Sequence, residues 1–333
     1  MPDNRSSIEH IERRVAQALL FLIPSIFIIF LLVFRETNFK AFFETLNYKY
    51  LLYLIILMFV VWLLDVLRFS LIISFSHSKL SFKRSFEIIL ASFFGANVTP
   101  FYSGGIATQI YFLSKLSQTV GKSTAISVIY MILTLIVYLI FSLILLFTPH
   151  SFITGLREDF FMGLAIFVFV LSFLAFFFML YPKKAEKIVD KLSMRFSLGD
   201  KKREKIRVSI EEFSEGLKFF FTQNKFFIAL TILITFVSQT LFFLFTPVSF
   251  MALSIPFSFK EVMLTQIAMQ FTTSIGATPG GIGIVESAFA AFFHPLAGGK
   301  TAQLTLLWRS ISFYIPTIVG SFFFYKLLHE KKL

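Results

Sequence analysis

Apolar residues in this chain run together in long blocks, separated by short polar or glycine/proline-rich breaks, rather than alternating. Five blocks reach the length of about 18 or more residues that reads as a membrane-crossing helix. They are about Val15–Phe34, Leu51–Phe75, Ser123–Phe147, Phe160–Tyr181 and Phe226–Leu253. A sixth, Ala302–Leu328, is flanked by Lys326, Lys331 and Lys332. Two pairs of shorter arms differ. Phe86–Val98 and Ile106–Leu116 flank Thr99-Pro100-Phe101-Tyr102-Ser103-Gly104-Gly105, and Glu261–Ile275 and Ile284–Phe293 flank Gly276-Ala277-Thr278-Pro279-Gly280-Gly281-Ile282-Gly283. An arm of about 12 residues rises ~18 Å, short of the ~30 Å hydrocarbon core. Each pair therefore reads as a re-entrant hairpin with its tip inside the membrane. Full spans kinked at Gly/Pro are the competing reading. The expected fold is an all-α polytopic membrane protein, with about six spanning helices plus two re-entrant helical hairpins.

Composition agrees with this pattern. Hydrophobic residues make up 56% and charged residues 15% of 333 positions, with 49 Phe. Soluble domains carry about 25% charge, so soluble enzyme folds are excluded. The polar Met1–Arg14 stretch before a full-length apolar block argues against a cleavable signal peptide. Cys is absent, which removes disulfides, thiol nucleophiles and cysteine metal sites.

Charge sets the expected orientation. Loops on one side carry 22 Lys and Arg, and loops on the other carry six. By the positive-inside rule both termini are cytoplasmic, and the location is a cell membrane. Twelve of the 22 fall in Pro182–Lys225, where they alternate with Ile188, Val189, Leu192, Ile206, Ile210, Phe213 and Leu217. That pattern suits amphipathic helices on an anionic leaflet. The +12 net charge points to anionic lipid, not nucleic acid.

An internal repeat organises the chain. Pro100 and Pro279 lie 179 positions apart, each in Thr-Pro with Gly-Gly close behind. The same shift carries Leu51–Phe75 into the fifth block and Ser123–Phe147 onto the sixth. The unit is span, hairpin, span, used twice. Residues 1–50 form the N-terminal tail and first span, 51–147 repeat 1, 148–225 a connecting span with the basic segment, 226–328 repeat 2, and 329–333 the C-terminal tail. The odd connecting helix inverts the second copy, an inverted-topology repeat of the kind on which many transporters are built.

Broken helices at matching positions of two halves point to a substrate site. A helix start offers free N–H groups and partial positive charge, which suit phosphate. Candidate binding residues at the first tip are Asn97, Thr99, Pro100, Ser103, Gly104, Gly105 and Gln109. At the second they are Thr278, Pro279, Gly280, Gly281, Gly283 and Glu286. Thr108, Thr272, Thr273 and Ser274 add hydroxyls nearby, and close helix packing is the other reason for such small residues. Intramembrane charges are functional by default. Arg309 is placed to pair with Glu286 or to receive a lipid phosphate, and Glu286 to cap its own helix start. Asp65 and Arg68 share a helix face as supporting buried charges. Lys115 is read as snorkelling, and Gln239, Gln266 and Gln270 as cavity-facing or as interhelical hydrogen bonds. The five His show no metal spacing and no nucleotide-binding motif is present, so no metal or cofactor is expected.

At these motifs the chain resembles a known family. Asn97-Val98-Thr99-Pro100 with Gly104-Gly105 and Gln109–Leu113 is similar to one signature. Thr278–Gly283 with Glu286 is similar to a second, and Trp308-Arg309 through Tyr314, Pro316 and Gly320 to a third. The family is the lysylphosphatidylglycerol synthase/flippase transmembrane-domain family, and the resemblance runs from about Val15 to Leu328. It implies movement of lipids or lipid-linked headgroups between leaflets, with an anionic phospholipid or polyprenyl-phosphate-linked lipid as partner. It leaves room for a homodimer and for a separate synthase, since the soluble aminoacyl-lipid synthase domain of well-known members is expected to be missing from a sequence ending at Leu333. Many members place Arg and an acidic residue where this chain has Tyr102-Ser103-Gly104-Gly105. Two alternatives stay open: a membrane-embedded, phosphatidylglycerol lysyltransferase-like headgroup transferase using Glu286 or Asp65 as base, and a non-transporting scaffold for a partner synthase.

Overall fold

The apolar blocks fold as helices with apolar residues on every face, because lipid as well as protein can cover them. The computed structural model describes residues 39–75, 80–116, 119–148, 225–273 and 276–330, with scattered positions between 163 and 222. The expected spans Val15–Phe34 and Phe160–Tyr181 and most of the basic segment lie outside the described residues.

In chain order the helices are α1 (Phe39–Thr45), α2 (Tyr48–Phe75), α3 (Phe82–Asn97), α4 (Gly104–Leu116), α5 (Val120–Leu146), α6 (Lys225–Phe243), α7 (Phe245–Ala252), α8 (Phe259–Thr273), α9 (Ile284–Ala297), α10 (Thr301–Arg309) and α11 (Ile315–His329). Short 3-10 turns occupy Pro100–Tyr102 and Pro279–Gly281, and a π turn, Ser310–Tyr314, joins α10 to α11. The described residues contain no strand. Four helical stretches among them are long and apolar enough to cross a membrane: Tyr48–Ser74, Val120–Leu145, Lys225–Ala252 and Pro279–His329.

Side-chain caps place two helix starts. Ser81 accepts from the Arg84 N–H and opens α3, and Thr119 accepts from the Lys122 N–H and opens α5. Helices α3 and α4 form one antiparallel pair, and α8 and α9 the other. Their arms run 13 to 16 residues, or about 20–24 Å. Glycine lets the first pair close tightly. A Cβ on Gly95 would meet Thr108 and the Gly104 carbonyl, so α3 and α4 cross backbone to backbone.

The two pairs point at each other. The open end of α3–α4 lies beside the C-terminus of α11: Arg84 bonds Glu330 at 2.6 and 2.8 Å, and Lys115 Nζ donates to the carbonyls of Leu327 and Leu328 at 2.7 Å. Lys115 thus caps a helix C-terminus rather than only snorkelling. The open end of α8–α9 lies at the opposite end of the bundle. There Lys300 donates to the Leu253 carbonyl, and the Asn47 N–H to the Ala252 carbonyl. Since α2 runs from the second end to the first, the hairpins enter from opposite ends and meet between them. Around the junction the core is aromatic, with the Phe289 and Trp308 rings stacked at 4.5 Å.

Candidate functional site

Each tip leaves its first helix through an extended threonine followed by proline. Thr99 has φ −121°, ψ 149° and Thr278 has φ −84°, ψ 155°. The next two residues are left-handed in both copies: Phe101 and Tyr102 at φ 54° and 55°, Gly280 and Gly281 at φ 61° and 66°. A shift of 179 carries the first pair onto the second. The expected Gly-Gly match is therefore out of register. Gly104-Gly105 opens α4 as regular helix and aligns with Gly283-Ile284, while Phe101-Tyr102 takes the bend that Gly280-Gly281 takes in repeat 2.

The tips touch through their backbones. The Phe101 N–H donates to the Gly276 carbonyl at 2.9 Å and the Gly280 N–H to the Thr99 carbonyl at 3.4 Å. Tyr102 Oη donates to the Gly280 carbonyl at 2.9 Å. A Cβ on Gly280 would sit 2.5 Å from the Asn97 carbonyl and the Phe313 ring, so only glycine fits.

Arg309 completes the junction. It ends α10, is 3% exposed, and donates from Nε to Glu286 Oε1 at 2.7 Å and from Nη2 to the Gly280 carbonyl at 2.9 Å. Its guanidinium lies 4.2 Å from the Phe313 ring centroid, a cation–π contact. The other Glu286 oxygen accepts from the Gly283 N–H at 2.7 Å. Glu286 therefore both caps α9 and pairs with Arg309. The start of α4 is capped similarly: Thr99 Oγ1 accepts from the Gly104 N–H at 2.7 Å and donates to the Gly95 carbonyl at 2.9 Å. In this conformation both helix starts hold side chains of the protein.

The remaining candidates fall in two groups. Pro100 opens the first 3-10 turn and Pro279 the second. Ser103 donates to the Pro100 carbonyl, and Thr278 to that of Ile282. These residues shape the tips. Gly105 packs against Ala96, and Gln109 reaches Ser92 on α3 at 3.4 Å, so both serve the α3–α4 contact. Gln239, Gln266 and Gln270 bond Tyr138, Thr246 and Tyr138 respectively.

Beside the first tip lies a cavity of about 170 Å³ between α2, α3, the α6–α7 region and the π turn. Asn97 borders it and bridges the repeats, donating to Thr317 Oγ1 at 2.8 Å. Asp65 borders it too; its Oδ1 accepts from Ser238 at 2.9 Å and lies 3.1 Å from Arg68 Nε. Arg68 also donates to Thr134 at 2.9 Å and stacks 3.8 Å from the Tyr130 centroid. The sequence reading missed Trp62 and Ser312 in this wall. Trp62 is three residues before Asp65, hence on one helix face; Ser312 gave no signal beyond its spacing from Arg309.

The sequence matches the family described as the lysylphosphatidylglycerol synthase TM region over residues 15–320. The chain belongs to that family. Curated relatives are UPF0104 membrane proteins. One from Methanocaldococcus jannaschii is 27% identical over 285 residues, covering 82% of this chain and 83% of the relative. One from Archaeoglobus fulgidus is 26% identical over 271 residues, covering 78% and 81%. One from Pyrococcus horikoshii is 25% identical over 279 residues, covering 78% and 81%. As a member of the family, this chain is a membrane protein.

Proposed function

We propose that this family member moves a lipid, or a lipid-linked headgroup, between leaflets, and binds its anionic headgroup where the two tips meet. The observation that carries this reading is Arg309, a buried forked cation that spans the junction from Gly280 to Glu286. A guanidinium holds carboxylate and phosphate oxygens with the same geometry. Glu286 then occupies the place of a lipid phosphate while the tips are closed. An arriving phosphate takes over the Arg309 fork, so Arg309 keeps a counter-charge, and the released Glu286 carboxylate must take up a proton or meet water as the tips part.

On this reading the two hairpins are re-entrant, one from each face, and their tips lie near mid-depth. Parting of the tips on one side or the other exposes Arg309 to alternate leaflets, and the inverted repeats supply the two equivalent motions. Lipid tails stay outside, along apolar helix faces. Cytoplasmic termini and the basic segment would gather anionic lipid on that leaflet. Nothing favours the transferase alternative at Glu286, since both of its oxygens are hydrogen-bonded.

The test is reconstitution into vesicles with a fluorescent anionic phospholipid, following its loss from one leaflet. Arg309→Gln should slow exchange at least about tenfold, the loss expected for a charge-assisted contact. Arg309→Lys, which keeps charge without the fork, should fall between. Unchanged exchange in folded Arg309→Gln protein would overturn the site.

A further inference from the structure

We propose that the cavity beside the first tip binds a sugar ring, carried as the part of the headgroup beyond the phosphate. The inference rests on the transport reading above and adds a substrate class to it.

The walls make the case. Trp62, Phe93 and Phe242 line the cavity with aromatic rings, and such rings cover the C–H faces of a sugar well. Polar groups are few and separate. Ser312 Oγ is buried and has no hydrogen-bond partner among the described residues. Asp65 turns toward the same space, and no hydrogen bond among the described residues ends on its Oδ2. Asn97 donates from Nδ2 to Thr317, which leaves its carbonyl oxygen to accept. One hydroxyl with no partner and two acceptors on an aromatic frame suit a neutral ligand with several hydroxyl groups. A buried polar group lacking a partner is costly, and such a ligand would supply it.

Charge decides against other classes. Arg68 lies 3.1 Å from Asp65, so the pair is neutral as a whole. An ammonium ligand would find its counter-charge already taken, and a phosphate would face a carboxylate. Size agrees as well: an apolar cavity of about 150 Å³ holds one benzene ring, and this one is 170 Å³. That volume admits one ring. Position supplies the link to phosphate: the backbone carbonyl of Asn97, a residue in the cavity wall, abuts Gly280, whose own carbonyl accepts from Arg309 at 2.9 Å. A phosphate on Arg309 would have its substituent at the cavity mouth.

The experiment compares two probes with the same labelled tail and the same phosphodiester charge, phosphatidylglucose and phosphatidylethanol. Wild-type protein in vesicles should exchange the glucose lipid about tenfold faster or more, since the ethyl analogue leaves the polar wall unpaired. Ser312→Ala removes no existing contact and should cut the ratio of the two rates about fivefold, one hydrogen bond's worth. Asp65→Asn should cut it too. Equal rates for both probes in wild type would overturn the sugar site while leaving transport intact. In a parallel arm, glucose 1-phosphate and ethyl phosphate are titrated into detergent-solubilised protein. Tryptophan emission is read, Trp62 being one of two Trp in the chain. A sugar-dependent change lost in Ser312→Ala, without exchange of either lipid, would keep the sugar site and reject transport. No exchange and no sugar-dependent emission would reject both.

Discussion

The Gly280 carbonyl accepts from Tyr102 and from Arg309, and the residue itself is left-handed with a backbone atom and a ring where a side chain would stand. Two glycines therefore separate conformation from contact. Gly283, at φ 84°, has nothing within 4 Å of an added Cβ. Gly283→Ala meets no neighbour and should cost only the strain of holding φ 84°, ψ −48°, a conformation rare outside glycine, roughly 1–3 kcal/mol. Gly280→Ala adds the displacement of Asn97 and Phe313 and should lower the denaturation midpoint in detergent clearly further. Equal midpoints would mean that the tips are loose. At the ion pair, Arg309→Ala leaves a buried carboxylate without a counter-charge and should cost roughly 3–5 kcal/mol. Arg309→Met with Glu286→Gln should cost less than the two single changes added together. The double-mutant cycle reads that coupling, expected at roughly 0.5–3 kcal/mol.

At the scale of elements, the apolar blocks and their breaks were legible because bilayer thickness imposes helix length. Thr99-Pro100 and Thr278-Pro279 were legible as tips because proline and a preceding extended residue stop a helix. The bend after them was not. In repeat 1 it uses Phe101 and Tyr102 in a conformation that non-glycine residues seldom adopt, so looking for glycine gave the wrong register. The π turn at Ser310–Tyr314 was also silent. Pro316 lacks an N–H to continue the α-helical ladder, yet proline alone does not say that a wide turn precedes it. Asp65 and Arg68 were legible as a pair from their spacing, whereas their partners Ser238 and Thr134 come from other helices. One inter-element link carries a pH signature. Glu330, after α11, is held below the ordinary carboxylate value of 4.5, chiefly by its hydrogen bond to Arg84 at the start of α3. A depressed carboxylate adds stability above its unfolded value, and that share is lost as pH falls through the lower folded value. Glu330→Gln should flatten the fall in denaturation midpoint below pH 4.5. The effect should be small and should shrink with salt, because the pair is only half-buried at the surface.

For the whole molecule, the repeat shift of 179 places equivalent left-handed pairs at tips that meet from opposite ends of the bundle. The copies are not chemically equal. Arg309 comes from repeat 2, and the same shift puts Tyr130 in its place in repeat 1. One cation thus serves a junction that both halves build, as expected if a single headgroup is passed from one side to the other. The most direct measurement joins the tips. The chain has no Cys, and Phe101 and Ala277 are both exposed beside the Phe101–Gly276 hydrogen bond. With Phe101→Cys and Ala277→Cys linked by a short, reducible thiol cross-linker, lipid exchange in vesicles should stop, and should return on cleavage of the linker. Exchange at the uncross-linked rate through joined tips would contradict the account.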